Sequence, residues 1–445
     1  MIDFALTPRQ TAIRSSAQEF ATTTLLKSSS LTSSHPTPLA KFQATRPLYE
    51  AATKLGLIKG QVPETLGGTG GPLIEAALCA EEFYALEASA SLTILGTGLG
   101  LLPLIIAGSE EQHERFLRPF LSEEGAPLAS LVHSEPGGVA NFMEEEGMGL
   151  QTVVRKEGDE WVIDGEKIWA TNCAGWDERG ADLQCVTCRI QGGAPSEVAI
   201  LIITREDIAR DPESYKVLKH PETIGHNATS GPHVKFTNLR VPAINLLAAP
   251  GQGAAVIEKA FTFSAALVGA ISVGVMRRTF DLALSFAKKD FRNGKVPIIE
   301  RQSVADLLID IKMRCEASRA LTWKACVGLE KNENAAELAY ETKIFCSDSA
   351  VKCVVDAMNA VGMYVFTFPQ FSCVLRALKV RSSADWESRS SYNAELPWGE
   401  LLNTAICLPL FDGGNVGVRR RQVERIFTSP DYEPWASTFG SSKHG

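Results

Sequence analysis

Four short segments of this 445-residue chain carry residue types that could bind a ligand or take part in chemistry. In His133–Gly138, the glycines would let backbone N–H groups approach a ligand closely. In Trp169–Asn172, an aromatic ring and a hydroxyl stand two residues apart, on the same face of a predicted strand end. Arg292 and Gln302 lie in a polar segment after a helix, where an arginine could hold a pyrophosphate. The fourth segment, Phe411–Asn415, joins a hydrophobic run to a basic helix, but its Asp-Gly-Gly sequence alone is more typical of a turn than of a catalytic site.

Several signatures of nucleotide and metal binding are missing from the sequence. There is no G-x-G-x-x-G after a predicted strand and no Walker-type phosphate loop, so any dinucleotide must be held in another way. There is also no G-x-S-x-G motif, and no spacing of histidine, cysteine and carboxylate residues predicts a metal site. The net charge is −8 and no long basic run occurs, which argues against nucleic acid as a partner.

The four segments are distributed over three regions that differ in hydrophobic period. Residues 1–126 have a helical pattern, residues 127–247 consist of short β-type runs, and residues 248–445 are helical again. The uncharged run from Phe261 to Met276, rich in small residues, is typical of a helix that packs closely on all sides. We therefore predict a mainly α-helical protein with an N-terminal helical domain, a central β domain built as a small antiparallel barrel or sandwich, and a C-terminal helical bundle.

Two features bear on where the protein works. The uncharged stretch from Ala88 to Ser109 is interrupted by glycines and Pro103, which favours a buried helical hairpin over a membrane span. The N-terminus lacks the pattern of a secretion signal, and the ten cysteines lie in hydrophobic context, which predicts reduced thiols. We expect a cytoplasmic protein whose partners include neither a membrane nor a nucleic acid.

In their order and architecture, these segments resemble the acyl-CoA dehydrogenase superfamily over nearly the whole chain, and its nitroalkane oxidase family in particular. Five stretches carry the narrower resemblance: Phe42–Pro47, His133–Pro136, Ser264–Ala270, Leu410–Asn415 and Asp431–Ala436. The resemblance implies an N-terminal helical domain, a middle antiparallel β-barrel and a C-terminal four-helix bundle. It also implies FAD as cofactor and a homotetrameric assembly.

The resemblance assigns cofactor-binding roles to residues of the β region and of the C-terminal region. Leu131, His133 and Ser134 would line the flavin ring, with Trp169 and Thr171 at its other face and its N5 edge. Three residues would bind the phosphates and the adenine end, partly across a subunit boundary: Arg292, Arg301 and Gln302. Two further runs would complete the site: Asp356, Ala357, Met358, Asn359 and Ala360, and Leu410, Phe411, Asp412, Gly413 and Gly414.

The resemblance also implies the reaction. Asp412 would take the α-proton of a small neutral nitroalkane, whose nitro group already acidifies that carbon. Arg419 follows seven residues later, about two turns in a helix, and could hold the Asp412 carboxylate ionised as its ion-pair partner. Ser264 would donate a hydrogen bond to the same carboxylate. The carbanion would then react with the flavin, and nitrite, an aldehyde or ketone and, after reoxidation by O2, H2O2 would be the products.

Two alternatives to nitroalkane oxidation stay open at this point. One is an acyl-CoA dehydrogenase or oxidase on the same fold. An argument against this alternative is that Asp412 occupies the position at which the dehydrogenases use a glutamate. No distinct signal for binding the phosphates of CoA is found in the sequence either. The other alternative is an inactive flavin-binding relic, whose site is broken by an insertion.

The sequence departs from the family pattern in three places. Thr171 replaces a serine, which preserves the hydroxyl, and Leu408 replaces a tyrosine next to the segment that carries Asp412. The largest departure is an insertion at 364–389, which mixes aromatic, cysteine, arginine and serine residues without any period. The codons for Met363-Tyr364-Val365 necessarily contain a typical fungal splice donor, so a retained intron is favoured over a surface loop.

Overall fold

The computed structural model describes residues 4–331, 335–362 and 397–440. The predicted insertion at 364–389 lies outside the described residues. Contacts between Cα atoms divide the chain into two compact units. The helical unit comprises Met1–Thr23, Pro72–Ala88 and Ala265–Gly445, and the sheet unit comprises Thr24–Gly71 and Ser89–Ser264.

The helices and strands of the described residues follow the predicted order of helices, then strands, then helices. The helices are α1 (Pro8–Thr23), α2 (Ser28–Thr32), α3 (Pro38–Ala44), α4 (Arg46–Lys54), α5 (Leu73–Tyr84), α6 (Ser89–Ala107), α7 (Glu110–Leu117), α8 (Arg205–Arg210), α9 (Gly253–Ala287), α10 (Gln302–Lys331), α11 (Ala336–Val361), α12 (Pro397–Cys407), α13 (Arg420–Phe427) and α14 (Ala436–Phe439). The strands are β1 (Ala129–Val132), β2 (Val153–Glu157), β3 (Glu160–Lys167), β4 (Leu183–Ile190), β5 (Val198–Thr204), β6 (Tyr215–Lys219), β7 (His233–Pro242) and β8 (Leu246–Ala248).

The strands of the sheet unit form one mixed sheet in the order β6-β7-β3-β2-β4-β5-β8, with β1 paired to β4 outside this path. Strands β1 and β2 both pair in parallel with the same edge of β4, and β5 pairs with its other edge. Strand β1 lies along Leu183–Val186 of β4, and β2 lies along Arg189–Ile190. The other strand pairs are antiparallel. The prediction of an antiparallel barrel is therefore wrong, because two of the strand pairs are parallel. Among the described strands, no pairing joins β6 to β8 to close the sheet.

The burial of the central strands explains why the sequence predicts strands but not their partners. Most residues of β4 and β5 are buried, without the alternation of buried and exposed positions that marks a half-exposed strand. Their inward side chains form a core with those of β1, β3 and β7, including Val132, Ile163, Val186, Leu201 and Phe236. A strand whose residues are buried on both faces carries a β pattern, but that pattern does not specify parallel or antiparallel neighbours.

The uncharged stretch Ala88–Ser109 forms the single helix α6, with Pro103 inside it, instead of the predicted hairpin. A Cβ atom on Gly100 would lie 2.3 Å from the backbone nitrogen of Ser130. The glycine therefore allows α6 to approach β1 closely and does not mark a turn. By length and composition, α6 and α9 could each cross a membrane. However, 56% of the apolar segment of α6 and 72% of that of α9 are buried within the protein, as in core helices.

In the helical unit, α10 packs against α11 and α5, and α11 packs against α12. Helix α9 begins in the sheet unit and belongs to the helical unit from Ala265 onward. A Cβ atom on Gly269 would lie 2.4 Å from Cγ2 of Thr342, and one on Gly274 would lie 2.5 Å from the carbonyl oxygen of Glu81. The close packing predicted for the run of small residues is confirmed for this part of α9.

A cluster of buried ion pairs joins four helices of the helical unit. Arg277 of α9 donates to Glu82 of α5 at 2.6 Å and to Glu81 at 3.0 Å. Arg319 of α10 contacts Glu81 at 2.9 Å, and Arg14 of α1 contacts Glu82 at 2.8 Å. Burial by itself raises the pKa of Glu82, but the hydrogen bonds and charges of Arg277 and Arg14 outweigh it, so that the pKa lies below its ordinary value.

Replacing Glu82 by glutamine should lower the free energy of unfolding at pH 7 by about 1.5–3 kcal/mol, because Arg277 and Arg14 lose hydrogen bonds to a buried charge while Arg277 keeps its contact with Glu81. Since its pKa is lowered in the folded state, Glu82 stabilises the fold above its ordinary pKa, and this stabilisation is lost as the pH falls through the folded value. In urea denaturation, the difference between wild type and Glu82→Gln should therefore stay constant from pH 7 to about pH 5 and narrow below about pH 4.5, the ordinary pKa of glutamate.

The matched control is Glu50→Gln, which breaks a half-exposed ion pair with Arg46 at 2.9 Å. This substitution should have a far smaller effect, because solvent screens exposed pairs. A difference between wild type and Glu82→Gln that stays constant below about pH 4.5 would contradict the assignment of the stabilisation to the Glu82 charge.

Candidate active site

Asp412 lies in a tight turn between α12 and α13, here called the Asp412 loop (residues 408–419). Three consecutive residues adopt left-handed backbone angles, with φ of 56° at Asp412, 83° at Gly413 and 74° at Gly414. Glycine adopts this region freely and aspartate tolerates it better than most residues, which explains the Asp-Gly-Gly sequence. A π-helical turn, Asn415–Arg419, follows and leads directly into α13. Such turns are often found at functional sites.

The structure brings Asp412 and Arg419 together, as their spacing predicts. The Oδ2 atom of Asp412 accepts a hydrogen bond from Nη2 of Arg419 at 3.0 Å, and the Asp412 carbonyl oxygen accepts one from Nε at 3.0 Å. Both side chains are buried, with 3% of Asp412 and 1% of Arg419 exposed. The second carboxylate oxygen, Oδ1, is buried without a hydrogen-bond partner among the described residues. One oxygen is therefore anchored, and the other can accept a proton.

Arg419 is itself held in place by neighbouring side chains. Its Nη1 atom donates to Oε1 of Gln422 at 2.7 Å, and its guanidinium carbon lies 5.3 Å from the centre of the Tyr340 ring. An arginine over an aromatic face gains a further electrostatic attraction. These two contacts therefore hold the guanidinium group in the position in which it pairs with Asp412.

Lys343 of α11 also belongs to this site, and the sequence analysis missed it. Its Nζ atom donates to the Pro409 carbonyl at 3.1 Å and to Oδ1 of Asn415 at 2.7 Å. The amide of Asn415 donates in turn to Ser347 at 2.9 Å and to Asp348 at 2.8 Å. The signal in the sequence is a lysine at a buried position of α11, where a charged side chain needs a partner.

The residues predicted near the flavin ring lie at the end of β1 and just after β3. Leu131 is buried in β1, and the His133 ring is buried with Nδ1 at 2.9 Å from Oγ1 of Thr187. Burial, and then the charge of Lys167, lower the pKa of His133 to about 3, so this ring is neutral at physiological pH. Ser134 is only partly buried. The His133 side chain thus faces the core, and only its backbone could face a ligand.

The Trp169–Asn172 segment is a turn and not the predicted strand end. Strand β3 ends at Lys167, and both Trp169 and Asn172 have positive φ, at 65° and 72°. The Asn172 side chain anchors the turn by donating to the Thr93 carbonyl at 2.9 Å. Trp169 is left 54% exposed, and the Thr171 carbonyl accepts from Oγ of Ser130 at 2.7 Å.

A buried ion pair supports the backbone of both segments in the sheet unit. Lys167 donates from Nζ to the His133 carbonyl at 2.9 Å and to Oε1 of Glu135 at 3.0 Å. Glu135 also accepts from the backbone nitrogens of Gln151 at 2.7 Å and Thr152 at 2.9 Å. Burial raises the pKa of Glu135, but Lys167 and these N–H groups outweigh it and lower the pKa below its ordinary value. This pair was not predicted from the sequence, because the two residues are 32 positions apart.

The residues predicted at the phosphate and adenine end lie in the helical unit. Arg292 donates from Nη2 to the carbonyl oxygens of Ala360 and Val361, each at 2.7 Å, which brings two of the predicted segments together. Arg301 and Gln302 are exposed where α10 begins. Asp356 is buried and bound to Arg314 at 3.1 Å, so its carboxylate is already used within the fold. Of the other predicted residues, Ala357 is buried, Met358 is partly buried, Asn359 is exposed and Leu410 is 68% exposed.

Comparisons with known proteins agree with this architecture. Residues 7–124 match the family model of the acyl-CoA dehydrogenase N-terminal domain, and residues 251–424 match that of the acyl-CoA dehydrogenase C-terminal domain. The chain is 47% identical to the nitroalkane oxidase of Fusarium oxysporum, over 100% of this chain and 99% of that protein. It is 48% identical to the nitroalkane oxidase of Podospora anserina over 99% of each. This chain belongs to the nitroalkane oxidase family.

A solved structure of the family bears directly on the Asp412 loop. It is a flavoprotein nitroalkane oxidase whose study concerns the roles of an arginine and an aspartate in its reaction. It matches this chain with a TM-score of 0.91 at 47% identity, covering 99% of this chain and 100% of that one. In that protein the arginine follows the aspartate by seven residues, which is the spacing of Asp412 and Arg419 here. The resemblance to nitroalkane oxidases is confirmed.

Several side chains of the described residues are exposed or have no hydrogen-bond partner, and their chemistry suits the flavin that this family binds. In the sheet unit, the Trp169 ring is half exposed, and the hydroxyls of Ser134 and Thr171 have no hydrogen-bond partner among the described residues. An aromatic plane and free hydroxyl donors suit a planar ring with polar edges. In the helical unit, Arg301 and Gln302 stand at the N-terminus of α10, where a helix favours a phosphate.

Replacing Lys167 by methionine should lower the free energy of unfolding by about 3–5 kcal/mol, because Glu135 is left as a buried charge without its partner. The double variant Lys167→Met/Glu135→Gln removes both charges and should recover part of that loss. Urea denaturation of the wild type, both single variants and the double variant measures the coupling. Losses that simply add would contradict a direct interaction.

Proposed function

We propose that this chain is a FAD-dependent oxidase of small neutral nitroalkanes, in which Asp412 removes the α-proton of the substrate. The observation that carries the proposal is the asymmetry of the Asp412 carboxylate, with Oδ2 bound to Arg419 and Oδ1 buried and unpartnered. A nitroalkane, O2 and water would yield an aldehyde or ketone, nitrite and H2O2. Membership of the nitroalkane oxidase family supports the choice of substrate.

The residues of the Asp412 loop suit the removal of a proton from carbon. A nitro group acidifies the neighbouring carbon, so a carboxylate is a sufficient base. Arg419 holds Oδ2 and the Asp412 backbone, which directs Oδ1 to one position and leaves it free to take the proton. When bound, the flavin supplies the two-electron oxidation of the carbanion and the transfer of electrons to O2.

We assign the cofactor to the residues that the sequence analysis selected. In the sheet unit, Trp169 would present its ring, Ser134 and Thr171 their hydroxyls, and Leu131 and His133 their backbone to the flavin. In the helical unit, Arg292, Arg301 and Gln302 would bind the phosphates and the adenine end. The runs Asp356–Ala360 and Leu410–Gly414 would complete the site, and Ser264, which lies on α9, would donate a hydrogen bond to Asp412. The exposed ring of Trp169, the hydroxyls of Ser134 and Thr171, and the exposed side chains of Arg301 and Gln302 support the roles of those five residues.

The proposal also covers the assembly of the subunits and the location of the protein in the cell. Exposed apolar side chains on α10, α11 and α13, among them Ile309, Met313, Phe345 and Phe427, support an association of identical subunits, which we propose to be a homotetramer. The three-domain division at residues 126 and 247, with a four-helix bundle in the last domain, and a cytoplasmic location stay predictions from the sequence.

Replacing Asp412 by asparagine should slow the oxidation of neutral nitroethane by about 10²–10⁴-fold, because the amide keeps the shape of the side chain but cannot accept a proton. The preformed nitronate has already lost that proton, so the variant should oxidise it far better than it oxidises neutral nitroethane. Oxygen uptake and nitrite release, measured with both substrate forms on wild type and variant, test this expectation.

Two controls accompany this measurement. Asp412→Glu should keep part of the activity, since the base survives but is displaced by one methylene group. Dye reduction with acyl-CoA substrates should be absent and would favour the alternative dehydrogenase activity if found. Equal losses on neutral nitroethane and on nitronate would exclude Asp412 as the base.

Replacing Arg292 by alanine should weaken the binding of FAD by about 10- to 150-fold, because a phosphate loses a charge-assisted hydrogen bond of about 1.5–3 kcal/mol. Titration of the apoprotein with FAD measures the dissociation constant. Circular dichroism shows whether the fold survives the loss of the contacts to Ala360 and Val361. An unchanged dissociation constant would contradict the role of Arg292 in binding the cofactor.

A further inference from the structure

We propose that Lys343 is a positioning residue for the base, whose ammonium group ties together the two ends of the turn that carries Asp412. The inference rests on the proposed function of Asp412. Lys343 does not contact the Asp412 carboxylate through any hydrogen bond of the described residues, and its effect is exerted through Pro409 and Asn415. It would set where Oδ1 meets the substrate carbon.

The contacts of Lys343 bracket Asp412 symmetrically. Pro409 precedes Asp412 by three residues and Asn415 follows it by three, and Nζ of Lys343 donates to both, at 3.1 Å and 2.7 Å. The Pro409 carbonyl also accepts from the backbone nitrogen of Asn415 at 2.8 Å, which closes the turn at its base. A single buried ammonium group therefore reinforces the backbone contact between Pro409 and Asn415.

The turn needs such reinforcement because its backbone is strained. Asp412 is a non-glycine residue with a φ of 56°, a conformation that costs of order 1–3 kcal/mol and persists only when the surroundings impose it. Lys343 lies inside α11, a 26-residue helix, and its side chain is fully buried. The helix gives the turn a rigid reference, since the next helical turn also binds Asn415 through Ser347 and Asp348.

The charge of Lys343 is dedicated to these contacts. Burial lowers the pKa of Lys343 to about 8, Asp412 and Asp348 oppose that shift, and Arg419 adds to it. The group is thus charged at pH 7 but is removed from water, so its hydrogen bonds to Pro409 and Asn415 take the place of solvation. Both acceptors lie in the Asp412 loop, one on each side of Asp412.

The test is Lys343→Met in the holoenzyme, which removes the ammonium and keeps most of the side-chain volume. We expect oxidation of neutral nitroethane at pH 7 to fall about 10- to 100-fold, since a displacement of about 1 Å can cost 10²-fold. Oxidation of preformed nitronate should change less than about threefold, because that substrate needs no base. Hydrogen exchange in peptides that cover residues 408–419 should become faster.

The matched control is the double variant Lys167→Met/Glu135→Gln, which removes a fully buried lysine elsewhere in the chain together with its partner. Any loss of activity in this double variant should be equal for neutral nitroethane and for preformed nitronate. Should Lys343→Met be insoluble, Asn415→Ala removes one of the two acceptors and should give the same preference for nitronate.

Asp412→Asn, measured in parallel, separates the two proposals. If Asp412→Asn favours nitronate and neither Lys343→Met nor Asn415→Ala does so, the positioning role is wrong and the role of Asp412 stands. If Asp412→Asn itself affects both forms alike, the proposed function fails. Equal losses on both forms for Lys343→Met, with unchanged hydrogen exchange in the turn, would also overturn the positioning role.

Discussion

A buried carboxylate is costly unless a positive charge accompanies it, and the contact between Asp412 and Arg419 meets this requirement in the candidate active site. The contact is local in sequence but depends on the side chains and the backbone around it. Tyr340 and Gln422 hold the guanidinium group, and the strained turn allows the Asp412 side chain to point at it. Without Arg419, the free Oδ1 atom would belong to an isolated buried anion instead of a directed acceptor.

The same physical solution recurs where other elements of the chain must be joined. Lys167 and Glu135 connect the end of β1, the end of β3 and the chain before β2, while Arg277 and Glu82 connect α9 with α5. In each case one charged side chain satisfies several backbone or side-chain groups at once. Such pairs add little net stability because both charges give up water, but removing one partner is costly because it leaves the other charge buried and uncompensated.

The sequence predicts the order of elements and the Asp412–Arg419 contact, because those follow from hydrophobic period and from a spacing of seven residues. It does not predict that β1 and β2 run parallel to β4, since a strand buried on both faces lacks a pattern that selects its neighbours. It also places Trp169 on a strand, although a left-handed residue ends that strand early. Lys343 escapes notice because lysines on helices are usually exposed, and its acceptors are more than 60 residues away.

The π-helical turn at Asn415–Arg419 is a place where the chain can lose one residue without changing the direction of the side chains that follow. In this turn the Arg419 nitrogen bonds to the Gly414 carbonyl five residues back, which amounts to one residue more than an α-helical turn. Val416 and Gly417 are exposed there, so losing one of them would leave no hole in the core. With one residue fewer, the arginine nitrogen would bond to the same carbonyl as in an ordinary α-helical turn, and the guanidinium group would still face the carboxylate. A homologue that lacks the surplus residue would therefore keep the contact with its arginine six residues after the aspartate instead of seven.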